Sequence, residues 1–242
     1  MPAVAASELH LEITVMDQSS PHSADARELS PRTIAVLGAT GRTGQRVVEY
    51  ALAAGDGVRA LARSPDALAA MAHPKLTVVR GDANDASDVA HLLEGANGVI
   101  STVGGGSLED PGSARSTSAR NIAATLSTRN DTTTRVVIVA GGGILDAESG
   151  GLRQDQTGFP AIYFPVSDEH RRTWEIMRDS ETAWTMVCAG DIVAGERTGA
   201  YRALAERMPE GGSRISIGDL AAFLLEQLAD LRFIRQRVGL VY

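Results

Sequence analysis

Cysteine is almost absent from this 242-residue chain. Cys188 stands alone, which excludes an intrachain disulfide and any zinc site built on cysteine. Aromatic residues supply only 4% of the chain. A core must therefore be assembled from Val, Ile, Leu and Ala, as buried parallel sheets are. No apolar run reaches the length of a membrane span. The first residues carry neither a basic region nor an apolar signal core, so export is not expected and a cytoplasmic location is. The net charge of -7 argues against nucleic acid as a main partner. Lysine is as scarce as cysteine: of 23 basic residues only Lys75 is one.

What is present begins at Thr33-Ile34-Ala35-Val36-Leu37-Gly38-Ala39-Thr40-Gly41-Arg42-Thr43-Gly44. Short and β-branched apolar residues enter three glycines spaced three apart, and Val47, Val48, Ala51 and Leu52 then repeat with helical period. That is strand, tight turn, helix. Glycines there let backbone amides and the positive helix end approach an anion such as a pyrophosphate. The third glycine falls inside the helix, where it permits close packing on the strand. No Lys-Ser/Thr pair closes the turn, so it is not the phosphate loop of nucleotide triphosphatases.

Residues 1–31 read as an extension, with Leu9, Leu11, Ile13 and Val15 alternating with polar positions. They form either an added edge strand or dimer contact, or a disordered leader. The remainder, 32–242, alternates strand and helix through short connections. Strands are expected at 58–62, 76–79, 98–103, 135–140 and 184–188, with a last one near 238–241. Helices are expected at 85–93, 114–127, 168–179 (capped by Ser167) and 217–231. The fold class is α/β, a single-domain doubly wound parallel sheet of Rossmann type, with strand order 3-2-1-4-5-6 and an added strand at the C-terminal edge. Two irregular segments, 142–166 and 190–213, are the expected substrate loops. The second is expected to hold a short helix.

The second strand ends at Arg63, with no acid between Val58 and Ser64. NAD sites usually carry an acid there, whereas NADP sites need positive charge around the 2′-phosphate. Arg63 and Arg42 offer guanidinium forks suited to phosphate oxygens, so NADP(H) is the expected cofactor; Arg63 at a strand end can also simply be solvated. Asp82 is placed either beside the adenine or as an ordinary turn residue, and Val103 and Gly104 can line the middle of the cofactor. His170 is the only histidine after residue 91. It is either a pocket group that anchors or protonates a substrate, or a surface or capping residue.

The Gly38–Gly44 turn, Leu61-Ala62-Arg63-Ser64, Val79-Arg80-Gly81-Asp82, Gly98-Val99-Ile100-Ser101, Ala119-Arg120-Asn121-Ile122, Asp168-Glu169-His170-Arg171, Thr198-Gly199-Ala200-Tyr201 and Ile217-Gly218-Asp219-Leu220-Ala221 carry a resemblance. They resemble the NAD(P)H-binding, atypical short-chain dehydrogenase/reductase group, nearest to its biliverdin reductase B, or flavin reductase, type. The resemblance implies a Rossmann-fold enzyme that uses NADPH to reduce flavins and linear tetrapyrroles. By position it gives the cofactor role to Gly38, Thr40, Gly41, Arg42, Thr43, Arg63, Asp82, Val103 and Gly104, and the substrate-side role to His170.

Two departures stand out. Those reductases carry a serine after the fifth strand, where this chain has Gly141-Gly142-Gly143. Short-chain dehydrogenases acting on alcohols or ketones pair Tyr with Lys four residues on, but Met71 precedes Lys75 by four. The expected activity is therefore hydride transfer from NADPH to a small conjugated or aromatic acceptor such as a flavin or quinone, by a monomer or homodimer that uses no metal. The alternative is a non-catalytic NADP-binding sensor.

Overall fold

A computed structural model describes residues 32–242; the alternating segment at 9–15 and the rest of the extension lie outside the described residues. The chain runs β1 (Thr33–Leu37), α1 (Arg42–Ala53), β2 (Gly57–Ala62), β3 (Leu76–Arg80), α2 (Ala86–Leu92), β4 (Gly98–Ser101), α3 (Ala114–Thr128) and β5 (Arg135–Gly141). It continues through α4 (Phe164–Arg178), β6 (Ala183–Ala189), β7 (Asp191–Val193), β8 (Arg202–Ala205), β9 (Arg214–Ser216), α5 (Ile217–Glu226) and β10 (Gln236–Val241). Among the described residues eight strands make the main sheet, in the order β3-β2-β1-β4-β5-β6-β10-β8. All neighbours are parallel except β8, which pairs antiparallel with β10. The expected order holds, with two strands added beyond β6.

Strands buried on both faces need two apolar layers, and alternation supplies them. Ile34, Val36 and Ile100 face one way, against Val47 and Val48 of α1 and Leu220 and Leu224 of α5. Ala35, Leu37 and Val99 face the other, against Val89 of α2, Ile122 of α3 and Met177 of α4. At roughly 25 cal/mol per Å² of apolar area removed from water, these layers are the main stabilising term.

Three segments differ from expectation. The 190–213 stretch holds no helix: β7 pairs with β9 in a small parallel sheet, and β8 covers the edge that β10 otherwise leaves open. Helix α4 starts at Phe164, not Asp168, because Pro165 sits in the first turn, where its missing N–H costs no hydrogen bond. Ser167 is then a buried helical residue and not a cap. Helix α5 stops at Glu226, short of Leu231. Arg135 donates to the Gln227 carbonyl just beyond it.

Arginines close other helix ends in the same way. Arg59 reaches the carbonyls of His91 and Leu92, and Arg129 those of Ala90 and Leu93, all at 2.8–2.9 Å, at the end of α2. Arg235 reaches Arg178 and Ser180 at the end of α4. One planar fork satisfies two orphan carbonyls at once, which an ammonium on a flexible stem does less well.

Asp219 is a polar junction in the C-terminal third. It is fully buried in the first turn of α5, where Ser216 caps the helix. Its carboxylate accepts from Thr198 N–H (2.8 Å), the Thr198 hydroxyl (2.7 Å), Gly199 N–H (2.7 Å) and the Tyr242 hydroxyl (2.8 Å). Burial alone pushes its pKa up, but the donors led by Gly199 N–H outweigh it, and the net shift is below the ordinary 3.8. An unfolded chain takes up that proton first, so this stabilisation is complete above the carboxylate range and is lost as pH falls through it. Asp219→Ala should cost about 3 kcal/mol or more in urea unfolding at neutral pH, because buried donors lose an ionised acceptor. The gap to wild type should narrow below about pH 4; a constant gap across that range excludes ionised Asp219 as the cause.

Candidate active site

The carboxyl ends of five neighbouring strands share one rim. Ala62 pairs with Arg80, Leu37 with Ser101, and Ser101 with Ile138. Past those pairs, Asp82, Arg63, Gly38, Val103–Gly104 and Gly141 follow one another along the rim. The strand order reverses about β1, with β2 on one side and β4 on the other. Such a switch point opens a crevice outside the strand ends. All nine residues expected at the cofactor lie on this rim or on the turn from β1 into α1.

The turn is held by close backbone contacts. Gly38 has φ +77°, and a Cβ there would lie 2.7–2.8 Å from Thr102 atoms. A Cβ on Gly44 would lie 2.1 Å from the Gly38 carbonyl oxygen, so α1 sits directly against the end of β1. Gly41 caps α1 without any side-chain hydrogen bond. Thr40, Gly41 and Arg42 are exposed, and Thr43 is half-buried. Among the described residues no side chain caps the first turn of α1, whose amino end lies at the crevice. Arg42 and Arg63 are exposed and pair with no acid among the described residues, whereas Arg32, Arg46 and Arg237 do. Free amides at a positive helix end with two unpaired guanidiniums form a donor set for a pyrophosphate and a further phosphate. Asp82 is a turn residue here: its Oδ1 accepts from Asn84 N–H and Nδ2, both at 2.9 Å.

Helix α3, next along the rim, contrasts with α1. The fully buried Glu169 of α4 accepts from Ser116 N–H at 2.8 Å, and so places a carboxylate at the α3 amino end. An anion is already built in there. The α1 terminus is the open one.

The three glycines at the end of β5 and just beyond it have a physical reason that is not visible in the sequence. A Cβ on Gly141 would stand 3.2 Å from the His170 ring, and one on Gly142 2.6 Å from the Met208 methyl. One on Gly143 would stand 2.0 Å from Ser167 Oγ and 3.1 Å from Phe159. Side chains from three other segments fill the space that residues 141–143 leave. Ser167 in turn donates to Gln154 Oε1 at 2.6 Å. No spacing in the sequence points to Ser167, Gln154 or Met208, since the fold alone brings them here.

His170 stands two turns into α4, not in its first turn, so the helix end does not set its charge state. Its Nδ1 is buried without a partner among the described residues. Burial drives its pKa down to about 3, and the nearby Arg115 guanidinium adds to the shift. Arg115, which sequence reasoning missed, donates to the Gly105 carbonyl at 3.4 Å and has its own pKa lowered, chiefly by burial. At neutral pH His170 is an uncharged ring against Gly141, able to hold a polar group but not to deliver a stored proton.

Beyond the triplet lies a cavity of about 800 Å³. Its walls are the 146–160 loop and the 204–210 segment, and Phe159 and Met208 belong to both cavity and triplet. These walls fall within the two expected substrate loops. His170 does not line this cavity; it stands at the Gly141 end of the triplet.

A protein-family model described as NAD(P)H-binding matches residues 38–231. Among solved structures, the chain is similar to a Burkholderia pseudomallei protein provisionally described as exported. That likeness has 30% identity, covers 87% of this chain and 100% of that one, and has a TM-score of 0.73. It is similar to SP1627 of Streptococcus pneumoniae TIGR4, provisionally named an NADH-flavin reductase, at 26% identity over 87% and 99% of the two chains and a TM-score of 0.71. A likeness to ChuY, an anaerobillin reductase of Escherichia coli O157:H7, covers 86% and 96% with a TM-score of 0.70; at 23% identity it speaks for the fold alone.

The depressed His170 pKa makes a direct prediction. Its ring resonances should not titrate between about pH 5 and 8, and Arg115→Ala should raise the pKa without bringing it into that window. The unfolded chain binds this proton first, so the neutral ring contributes stability above the ordinary 6.5 that is lost as pH falls toward about 3. A titration midpoint near neutrality in the wild type overturns the assignment.

Proposed function

The chain belongs to the NAD(P)H-binding family, and on that premise we propose that it is an NADPH-dependent reductase acting on a flavin, quinone or similar conjugated acceptor. The observation that carries this reading is the pairing of an open α1 terminus with an uncharged His170 along the same rim. Gly38, Thr40, Gly41, Arg42 and Thr43 would hold the pyrophosphate, and Arg42 and Arg63 the 2′-phosphate. Val103 and Gly104 would line the middle of the cofactor. Bound NADPH supplies hydride. The protein's own part is to orient: neutral His170 holds a polar edge of the acceptor, and solvent delivers the proton. Conjugated acceptors suit a site without a Tyr/Lys pair, because their own electronics stabilise the added electrons. The provisional name of the pneumococcal relative supports the same acceptor class.

A second reading, an NADP-binding sensor, draws on one observation: His170, Met208, Ser167 and Phe159 already occupy the space over the glycine triplet.

Titration of both nucleotides tests the cofactor choice. NADPH should bind at least about tenfold tighter than NADH, since a charge-assisted phosphate contact contributes roughly 1.5–3 kcal/mol and tenfold needs about 1.4. Arg63→Ala should remove most of that preference; equal affinities in the wild type refute it. For the acceptor side, NADPH oxidation is followed with FMN, FAD and menadione. His170→Ala should lower kcat or raise the acceptor KM by several-fold up to about a hundredfold, while NADPH affinity changes little. Wild-type rates in that variant reduce His170 to a packing residue. No turnover with any acceptor hands the lead to the sensor reading.

A further inference from the structure

Beneath the 800 Å³ cavity sits a buried cation that lines no part of it. Arg237 of β10 is 6% exposed. Its guanidinium donates to Glu206 Oε2 at 2.6 Å, to Asp146 Oδ1 at 2.7 Å and to the Ile144 carbonyl. One face covers the Trp174 ring of α4, 4.2 Å from its centroid. The backbone repeats the tie: Glu206 N–H donates to the Arg237 carbonyl at 2.7 Å, and Asp146 N–H to the Glu206 carbonyl at 2.8 Å. Glu206 holds φ +62°, a left-handed conformation that a residue with a Cβ keeps only when its surroundings demand it.

These contacts join the two walls. Asp146 begins the loop that forms one side, and Arg207 and Met208, directly after Glu206, form the other. We propose that this cavity receives the part of the conjugated acceptor that extends past the glycine triplet from His170, and that Arg237 is the positioning residue that sets the distance between its walls. The proposal rests on the reductase reading for the identity of the occupant. Asp146 and Glu206 are partly exposed and Arg237 is buried; such a pair adds little net stability but fixes geometry, because a departure leaves the buried guanidinium without its partners. Arginine is required for the task. Three acceptors around one plane, with a ring stacked on that plane, match a guanidinium and not an ammonium.

The test uses Arg237→Lys and Glu206→Gln. Neither side chain lines the cavity, so effects on the acceptor come through the walls. With FMN and menadione, both variants should raise the acceptor KM about tenfold, with kcat and NADPH affinity held within about twofold. FMN binding, read by quenching of tryptophan fluorescence, should weaken in parallel. Glu206→Gln preserves shape and keeps the test decisive should Arg237→Lys fold poorly. Unchanged KM and FMN affinity in a folded Glu206→Gln protein overturn the proposal, as does an equal loss of NADPH affinity, which marks general loosening. A wild type that binds FMN without reducing it sinks the reductase reading, and the ratio of FMN affinities then decides the role of Arg237. A wild type that neither binds nor reduces either probe overturns the cavity assignment too.

Discussion

The contact between Gly44 and the Gly38 carbonyl is the constraint on which the site depends. With a Cβ there forced to 2.1 Å, any side chain at position 44 pushes α1 off β1. Pressed against the strand, the helix ends its axis at the place where the strand order reverses. Backbone amides then meet the crevice without help from a side chain. Overpacking at such a point costs roughly 1–3 kcal/mol or displaces the backbone, and here the displaced element is the helix whose uncapped end forms the candidate site.

The helices divide their electrostatic tasks. Helices α2, α3 and α5 close their amino ends with Asp85, Glu169 and Ser216. Helices α1 and α4 have no side-chain cap; Pro165 lies in the first turn of α4, and α1 has no such residue. The same economy governs the cations: Arg42 and Arg63 remain unpaired among the described residues, while Arg59, Arg129, Arg135 and Arg235 are committed to carbonyls inside the fold. Arg42, Arg63 and Arg80 are thus left uncommitted at the carboxyl ends of β1, β2 and β3.

Local signals made the first half of the fold legible. Strand, glycine turn and helix between Thr33 and Ala53 announce themselves by period and spacing, and parallel register then carries Arg63, Asp82 and Gly104 to the rim. The second half resisted for physical reasons. Strand β8 is defined by the open edge of β10, not by its own alternation. The early start of α4 depends on Pro165, which reads equally well as a loop residue. The glycine triplet looks like missing chemistry until His170, Met208 and Ser167 are seen in the space it leaves. Similarly, the charge state of His170 follows from burial and Arg115, and neither is a property of its neighbours in sequence.

The preference for arginine in the helix-end contacts has a practical side. With guanidinium in nearly every cationic role, Lys75 is the sole side-chain amine. It is exposed, ahead of β3, and donates to the Gly55 carbonyl at 2.7 Å ahead of β2. Both lie at the amino-terminal edge of the sheet, and the crevice lies at the carboxyl-terminal edge. A reagent that attaches to side-chain amines therefore has one address, on the far side of the molecule from the rim. A surface coupled through that side chain would hold the molecules in a common orientation, with their open ends turned toward solvent.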